Sequence, residues 1–259
     1  MPVPDMSEAI QINVSDLKEM IQQVVFAAST DEARPVLTGV YLAAQENRIT
    51  MQAADGFRLS VRHAELTAPV PRPIKAIIPA RALSELARVA SDGNQMVSMV
   101  LMPNRGQVIF HMKDIELASQ LIDGTYPDLE QVIPRATQTR TVLSSTQFLK
   151  ACKQAEIFAR EGSHIARVHI TPGGSLQPGT VEISGQSEET GSNQTMLDAS
   201  IEGNEITIAF NVRFLREILD VIHTPNVVLE TNIETTPGVL RPVGEDNFLH
   251  VIMPMHLGG

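Results

Sequence analysis

Apolar residues recur at helical spacing along 15–28. There Leu17, Ile21, Val24, Val25 and Ala28 fall on one face, which predicts an amphipathic helix. Residues 146–159 read the same way in the second half of the chain. A second pair of helical stretches runs through 78–86 and 210–218, each with a leucine at its centre, Leu83 and Leu215. Short apolar runs predict strands at 36–43, 48–53, 97–101, 107–112 and 116–122. The second half carries comparable runs at 165–171, 181–184, 205–210, 227–230 and 250–253.

The two halves share a register. Leu17 and Leu149, Phe26 and Phe158, and Leu83 and Leu215 each stand 132 positions apart, and Gly106 with Gly238 and Leu121 with Met253 keep the offset. Anchors in one register across both helices and the last strands predict two copies of one α+β domain. The stretch 127–141 holds two prolines and several polar residues, which suits a linker. The expected domains are 1–134 and 135–259.

Composition narrows the function. The 259 residues include no tryptophan and 4% aromatics, so the core rests on Val, Ile, Leu, Met and Ala. The single cysteine, Cys152, excludes an internal disulfide and a cysteine-rich metal site. No signal-peptide pattern opens the sequence and no apolar run reaches membrane-spanning length, so a cytoplasmic protein is expected. A net charge of −10 argues against a broad basic surface, though cations gathered on one face remain compatible with DNA.

No catalytic constellation emerges. The seven histidines are scattered, no His-Glu-x-x-His or Cys-x-x-Cys spacing is present, and no phosphate-cradling glycine loop precedes a Lys-Ser/Thr pair. The glycine-rich run 173–179 lies between predicted strands and reads as an exposed loop. Cys152 sits within a predicted helix and reads as a small core or interface residue. A non-enzyme without metal or cofactor is the expectation. The alternative, an unrelated hydrolase, would have to use Asp55 or His63.

Several motifs carry more. The run 26–39 reads FAASTDEARPVLTG, Ala54 to Leu59 reads ADGFRL, and 121–128 reads LIDGTYPD. Further on come IAFNVRFL at 208–215, LRPVGED at 240–246 and MPM at 253–255. In this order and spacing the chain resembles the bacterial replicative sliding clamp, the β subunit of DNA polymerase III. The resemblance covers that family's second and third domains, and Met1-Pro-Val-Pro resembles the linker that follows its first. It implies the clamp fold, with antiparallel sheets and two helices in each domain.

The resemblance also implies a function. Such a protein encircles duplex DNA without reading sequence and keeps polymerase on it. Six domains complete a ring, so a two-domain chain reaches that number as a trimer. DNA contact would fall to the helix-borne cations Lys18, Arg81, Arg88, Lys150, Lys153, Arg160, Arg213 and Arg216, set against the bland reading that helix surfaces carry such charges anyway. Polymerase III and clamp-loader subunits would insert short apolar peptides into a groove where the two domains meet. Carried over by motif, its lining is Leu37, Gly56, Phe57, Arg58, Leu59, Pro127 and Val132, with Asn211, Phe214, Val239, Val251, Met253, Pro254, Met255 and Leu257. Val239 and Val251 read equally well as core. Ala54 and His256 stand where many relatives have threonine and arginine, which bears on peptide preference. A peptide-binding module that closes no ring is the alternative function.

Overall fold

The structure is a computed structural model that describes residues 9–90, 95–113, 115–160, 164–174, 177–187 and 191–256. Packing divides the chain into Met1–Asp128 and Leu129–Gly259.

In the first unit, β1 (Ile10–Asn13) runs straight into α1 (Val14–Val24). Next come β2 (Gly39–Gln45), β3 (Arg48–Ala54), β4 (Arg58–Glu65) and β5 (Ile74–Pro79). α2 (Ala80–Val89) precedes β6 (Met96–Met102), β7 (Gln107–Met112) and β8 (Ile115–Gln120). One antiparallel sheet runs β1-β6-β7-β8, and a second runs β5-β2-β3-β4. α1 buries Val14, Leu17, Met20, Ile21 and Val24, the stripe that a 3.6-residue period places on one side. The Asn13 side chain accepts from the Ser15 N–H and caps that helix. Its end is tightened by a 3-10 turn, Val25–Ala27, so Val25 and Ala28 lie beyond the α-helical stripe and are half-buried.

The second unit repeats the plan. β9 (Thr139–Ser144) enters α3 (Ser145–Ala159), followed by β10 (Ile165–Thr171), β11 (Gly179–Ser187), β12 (Gly191–Gly203) and β13 (Ile206–Asn211). α4 (Val212–Asp220) leads to β14 (Asn226–Thr231), β15 (Gly238–Pro242) and β16 (Phe248–Ile252). All pairings are antiparallel, in the order β13-β10-β11-β12-β9-β14-β15-β16. α3 lies tight against β11, because a Cβ on Gly185 would overlap the backbone of Ala155. The helices pair within each unit, α1 with α2 and α3 with α4. Leu83 and Leu215, at the centres of α2 and α4, are fully buried, and truncating either to alanine costs about 2–5 kcal/mol. Among the described residues no helix is long and apolar enough to cross a membrane.

The repeat holds with a corrected register. The second helices start 132 positions apart, at Ala80 and Val212, as expected. The first helices are offset by 131: Leu17, Met20, Ile21 and Val24 correspond to Phe148, Ala151, Cys152 and Ala155, all buried. Leu149, the expected partner of Leu17, is half-buried, and at an offset of 132 Ile21 would fall on the exposed Lys153. Other departures are local. The strand expected from 36 starts at Gly39, because Pro35–Thr38 forms a 3-10 turn. The linker expected through 141 gives up its last residues to β9. Strands β1, β4, β5, β9, β12 and β15 lie outside the predicted strands.

Candidate functional site

In the first unit the site begins with Asp55. Its carboxylate accepts from the Phe57 N–H at 2.9 Å and the Arg58 N–H at 3.1 Å, folding 55–58 into a tight turn. Gly56 has φ +96°, a left-handed conformation that glycine adopts without strain. Arg58 Nε returns to the same carboxylate at 3.0 Å. Its Nη2 donates to the Phe26 carbonyl at 2.7 Å, and its guanidinium lies over the Phe26 ring. The turn therefore holds Phe57 outward, 58% exposed, on a braced loop.

A second braced loop stands beside it. Asp31 accepts from the Ala33 N–H and from Arg34 Nε, each at 3.0 Å. These bonds, the backbone one first, hold its carboxyl below the usual carboxylate range. The Ser29 N–H donates to the Leu37 carbonyl at 2.8 Å. Arg34 borders Gly56, since a Cβ there would lie 3.1 Å from its Nη1. Leu37, Gly56, Phe57 and Arg58 thus stand on two linked loops, whereas Leu59 points inward and is buried. Pro127 is exposed and follows Tyr126, whose ring stacks on Tyr41 at 5.3 Å. Burial pushes the Tyr126 hydroxyl up to about 12.

In the second unit, Val239 and Val251 face each other across β15 and β16, and both are buried. The Met255 N–H donates to the Ala209 carbonyl at 2.8 Å, which lays the tail along β13 near Asn211. Met253 is 36% exposed, and Pro254 and Met255 are half-buried. Asn211 accepts from the Arg213 N–H and caps α4, a role worth about 1 kcal/mol. Phe214 and Val132 are half-buried, and Leu257 lies outside the described residues.

The eight candidate cations do ride on the paired helices or, for Arg160, at a helix end. Many are already engaged. Arg88 pairs with Glu85 at 2.7 Å, Lys153 with Asp220 at 3.1 Å, and Arg213 with Glu217 at 2.9 Å. Arg216 pairs with Glu156 at 2.7 Å, and Lys18 donates to the Ala90 carbonyl at 3.2 Å. Arg81, Lys150 and Arg160 are exposed and have no ion-pair partner among the described residues.

Sequence reasoning missed Asp31, Arg34, Asp55 and Phe26 as the braces of the Phe57 loop. The signal was an Asp-x-x-Arg spacing that occurs at both Asp31–Arg34 and Asp55–Arg58. Asp55 is committed to its turn, and His63 sits five residues along β4 from Arg58, about 16 Å away at strand rise. Burial is the first cause that holds the His63 imidazole below its ordinary pKa. It also pushes the Cys152 thiol far up, leaving it an inert core residue. Among the described residues no cluster of His, Cys, Asp and Glu is able to hold a metal ion.

Two tandem copies of one α+β domain, each with a helix pair on antiparallel sheets, define a protein of the DNA-clamp fold. The family model for the central domain of the DNA polymerase III beta subunit matches residues 11–128, and the model for its C-terminal domain matches 130–256. The chain belongs to the DNA polymerase III beta subunit family. It is 31% identical over 257 residues to the beta sliding clamp of Bacillus subtilis, covering 98% of this chain and 66% of that protein. With the beta sliding clamp of Synechococcus elongatus it shares 31% over 258 residues, 99% of this chain and 68% of that one. The solved DNA polymerase sliding clamp from Bacillus subtilis superposes with a TM-score of 0.92 at 31% identity, over 100% of this chain and 67% of that one. The chain thus spans about two thirds of the length of these relatives.

Proposed function

We propose that this chain serves bacterial DNA replication in the cytoplasm as a sliding-clamp protein, holding polymerase on duplex DNA by tethering and not by catalysis. The observation that carries the reading is the doubled domain with its paired helices. In a chain of net charge −10, those helices and their ends bear the exposed cations Arg81, Lys150 and Arg160. Such side chains attract phosphates without touching base edges, which suits a protein that moves along DNA. In the same proposal, short apolar peptides of polymerase III and clamp-loader subunits dock on the Phe57 loop, and the Met253–Met255 tail offers further apolar surface. Exposed phenylalanine and methionine suit contacts that must accept several partners. The test is retention on DNA. After loading, the protein should stay on nicked circles through a high-salt wash and run off linear DNA. Equal loss from both would overturn the reading.

A further inference from the structure

The segment that leaves β8 turns back over the other sheet of its unit. Val40, Leu42, Ala76 and Ile78 of β2 and β5 belong to the core, so the two-residue period turns Tyr41, Lys75 and Ile77 to the opposite face. Residues 121–126 cross that face. The Ile122 N–H donates to the Ile77 carbonyl at 2.9 Å, and the Tyr126 ring stacks on Tyr41 with centroids 5.3 Å apart. Between sheet and crossing segment lies a cleft of about 390 Å³, a size common among ligand sites. The second unit has the same crossing, where the Met255 N–H donates to the Ala209 carbonyl at 2.8 Å. There Arg167 stands opposite Ala209, whereas in the first unit Tyr41 stands opposite Ile77. The backbone arrangement belongs to the repeat, and the aromatic lining is particular to the first unit.

The lining combines two chemistries. Ile77, Leu121 and the Tyr41–Tyr126 pair supply apolar and aromatic surface. Lys75 and Asp123 line the same cleft, both exposed, and neither has an ion-pair partner among the described residues. The cleft thus holds one charge of each sign, and the two do not neutralise one another. Its complement is an aromatic side chain flanked by one acidic and one basic group. The ring would extend the tyrosine pair, and the two charges would fix the order in which the flanking groups lie.

We infer that this cleft is a second docking site, for a short partner peptide in which one aromatic side chain stands between an acidic and a basic residue. The inference rests on the reading that this chain tethers partners through short peptides. It adds a site selective by charge, where the Phe57 loop offers apolar surface alone. A partner that carries both kinds of peptide gains from effective concentration and is held more tightly than by either site.

The test is fluorescence anisotropy with labelled heptapeptides centred on Asp-Phe-Lys, Lys-Phe-Asp or Ser-Phe-Ser, at low salt. They are titrated with wild type, with Lys75→Glu and with Asp123→Lys, both at exposed positions, and thermal melts check that the variants remain folded. One of the two charged peptides should bind wild type about tenfold more tightly than the uncharged one, and either substitution should remove that advantage. The double variant Lys75→Glu, Asp123→Lys inverts the cleft and should prefer the opposite charge order, which a loss of structure would not produce. Equal affinity for the three peptides overturns the inference, as does binding that neither substitution alters. A fourth peptide, with adjacent Leu and Phe and no charge, reports on the Phe57 loop. If it binds and is lost in Phe57→Ala while the charged peptides do not bind, the second site fails and the docking reading stands. If none of the four binds, both fail.

Discussion

Arg58 donates to the carbonyl of Phe26 at 2.7 Å and lays its guanidinium over that residue's ring, 5.4 Å from the centroid. One side chain thereby joins the end of the first helix to the turn that presents Phe57. The Arg58 and Asp55 side chains are 8% and 16% exposed, so removing the arginine strands a poorly solvated carboxylate and a carbonyl. Arg58→Ala should lower stability by about 2–3 kcal/mol in urea titrations and abolish peptide docking on the loop. Arg58→Lys should recover part of the stability, since lysine supplies charge but not the planar fork. Equal binding by the alanine variant would separate the brace from the docking surface.

The cations on the helices divide into engaged and unengaged sets, and DNA binding should sort them. Removing a side chain that neutralises one phosphate lowers the slope of log K against log salt by about 0.9. Arg81→Ala, Lys150→Ala and Arg160→Ala should each approach that change. Arg213→Ala and Arg216→Ala should shift the slope distinctly less, because Glu217 and Glu156 already neutralise those guanidinium groups. Indistinguishable slopes across the five variants would sink the distinction.

How far the chain could be read depends on what each segment buries. β3, β7, β10 and β14 were legible because buried residues alternate or run together in them. β12 was not, because in 191–199 only Leu197 is buried and the rest is mostly polar. β4 was hidden because its buried positions are Leu59, Ser60 and Arg62, two of them polar or charged, so no apolar alternation runs along it. The first-helix register slipped by one because the leucine and phenylalanine matches were anchored on Leu149 and Phe158, which are both half-buried, and not on the buried Phe148. At the site, the Phe57 loop was legible through its resemblance alone. Its braces were not, since acid–base pairs three apart are common on any polar surface.

Arg62 is a buried charge with lopsided support. Its side chain is 7% exposed and pairs through Nη2 with Glu19 Oε2 at 3.1 Å, while Nε and Nη1 have no partner among the described residues. Glu19 is 38% exposed and keeps access to water. The two ends of the pair should therefore respond unequally. Arg62→Met removes the unpartnered polar atoms and lets Glu19 rehydrate, so stability should stay within about 1 kcal/mol of wild type. Glu19→Ala leaves the guanidinium buried without its counter-charge and should cost about 2–4 kcal/mol. Chemical denaturation of both variants checks the asymmetry, and the reverse order would refute it.

His63 gives the fold a pH dependence of known sign. It lies on β4 opposite Thr50, where burial first, then Arg48 and Arg62, disfavour the imidazolium, and Glu65 opposes them. The folded pKa is thus below the ordinary value of 6.5, while the unfolded chain takes up its proton near that value. Between the two the unfolded state holds more protons, so stability is fully present above about 6.5 and falls as pH drops from there through the folded pKa. His63→Gln removes the titration but keeps a polar side chain. The urea midpoint of this variant should decline less steeply than wild type from pH 7 to pH 5, with the two curves parallel above pH 7. Matching slopes below 6.5 would mean that the other histidines carry the dependence and that His63 is solvated in the native state.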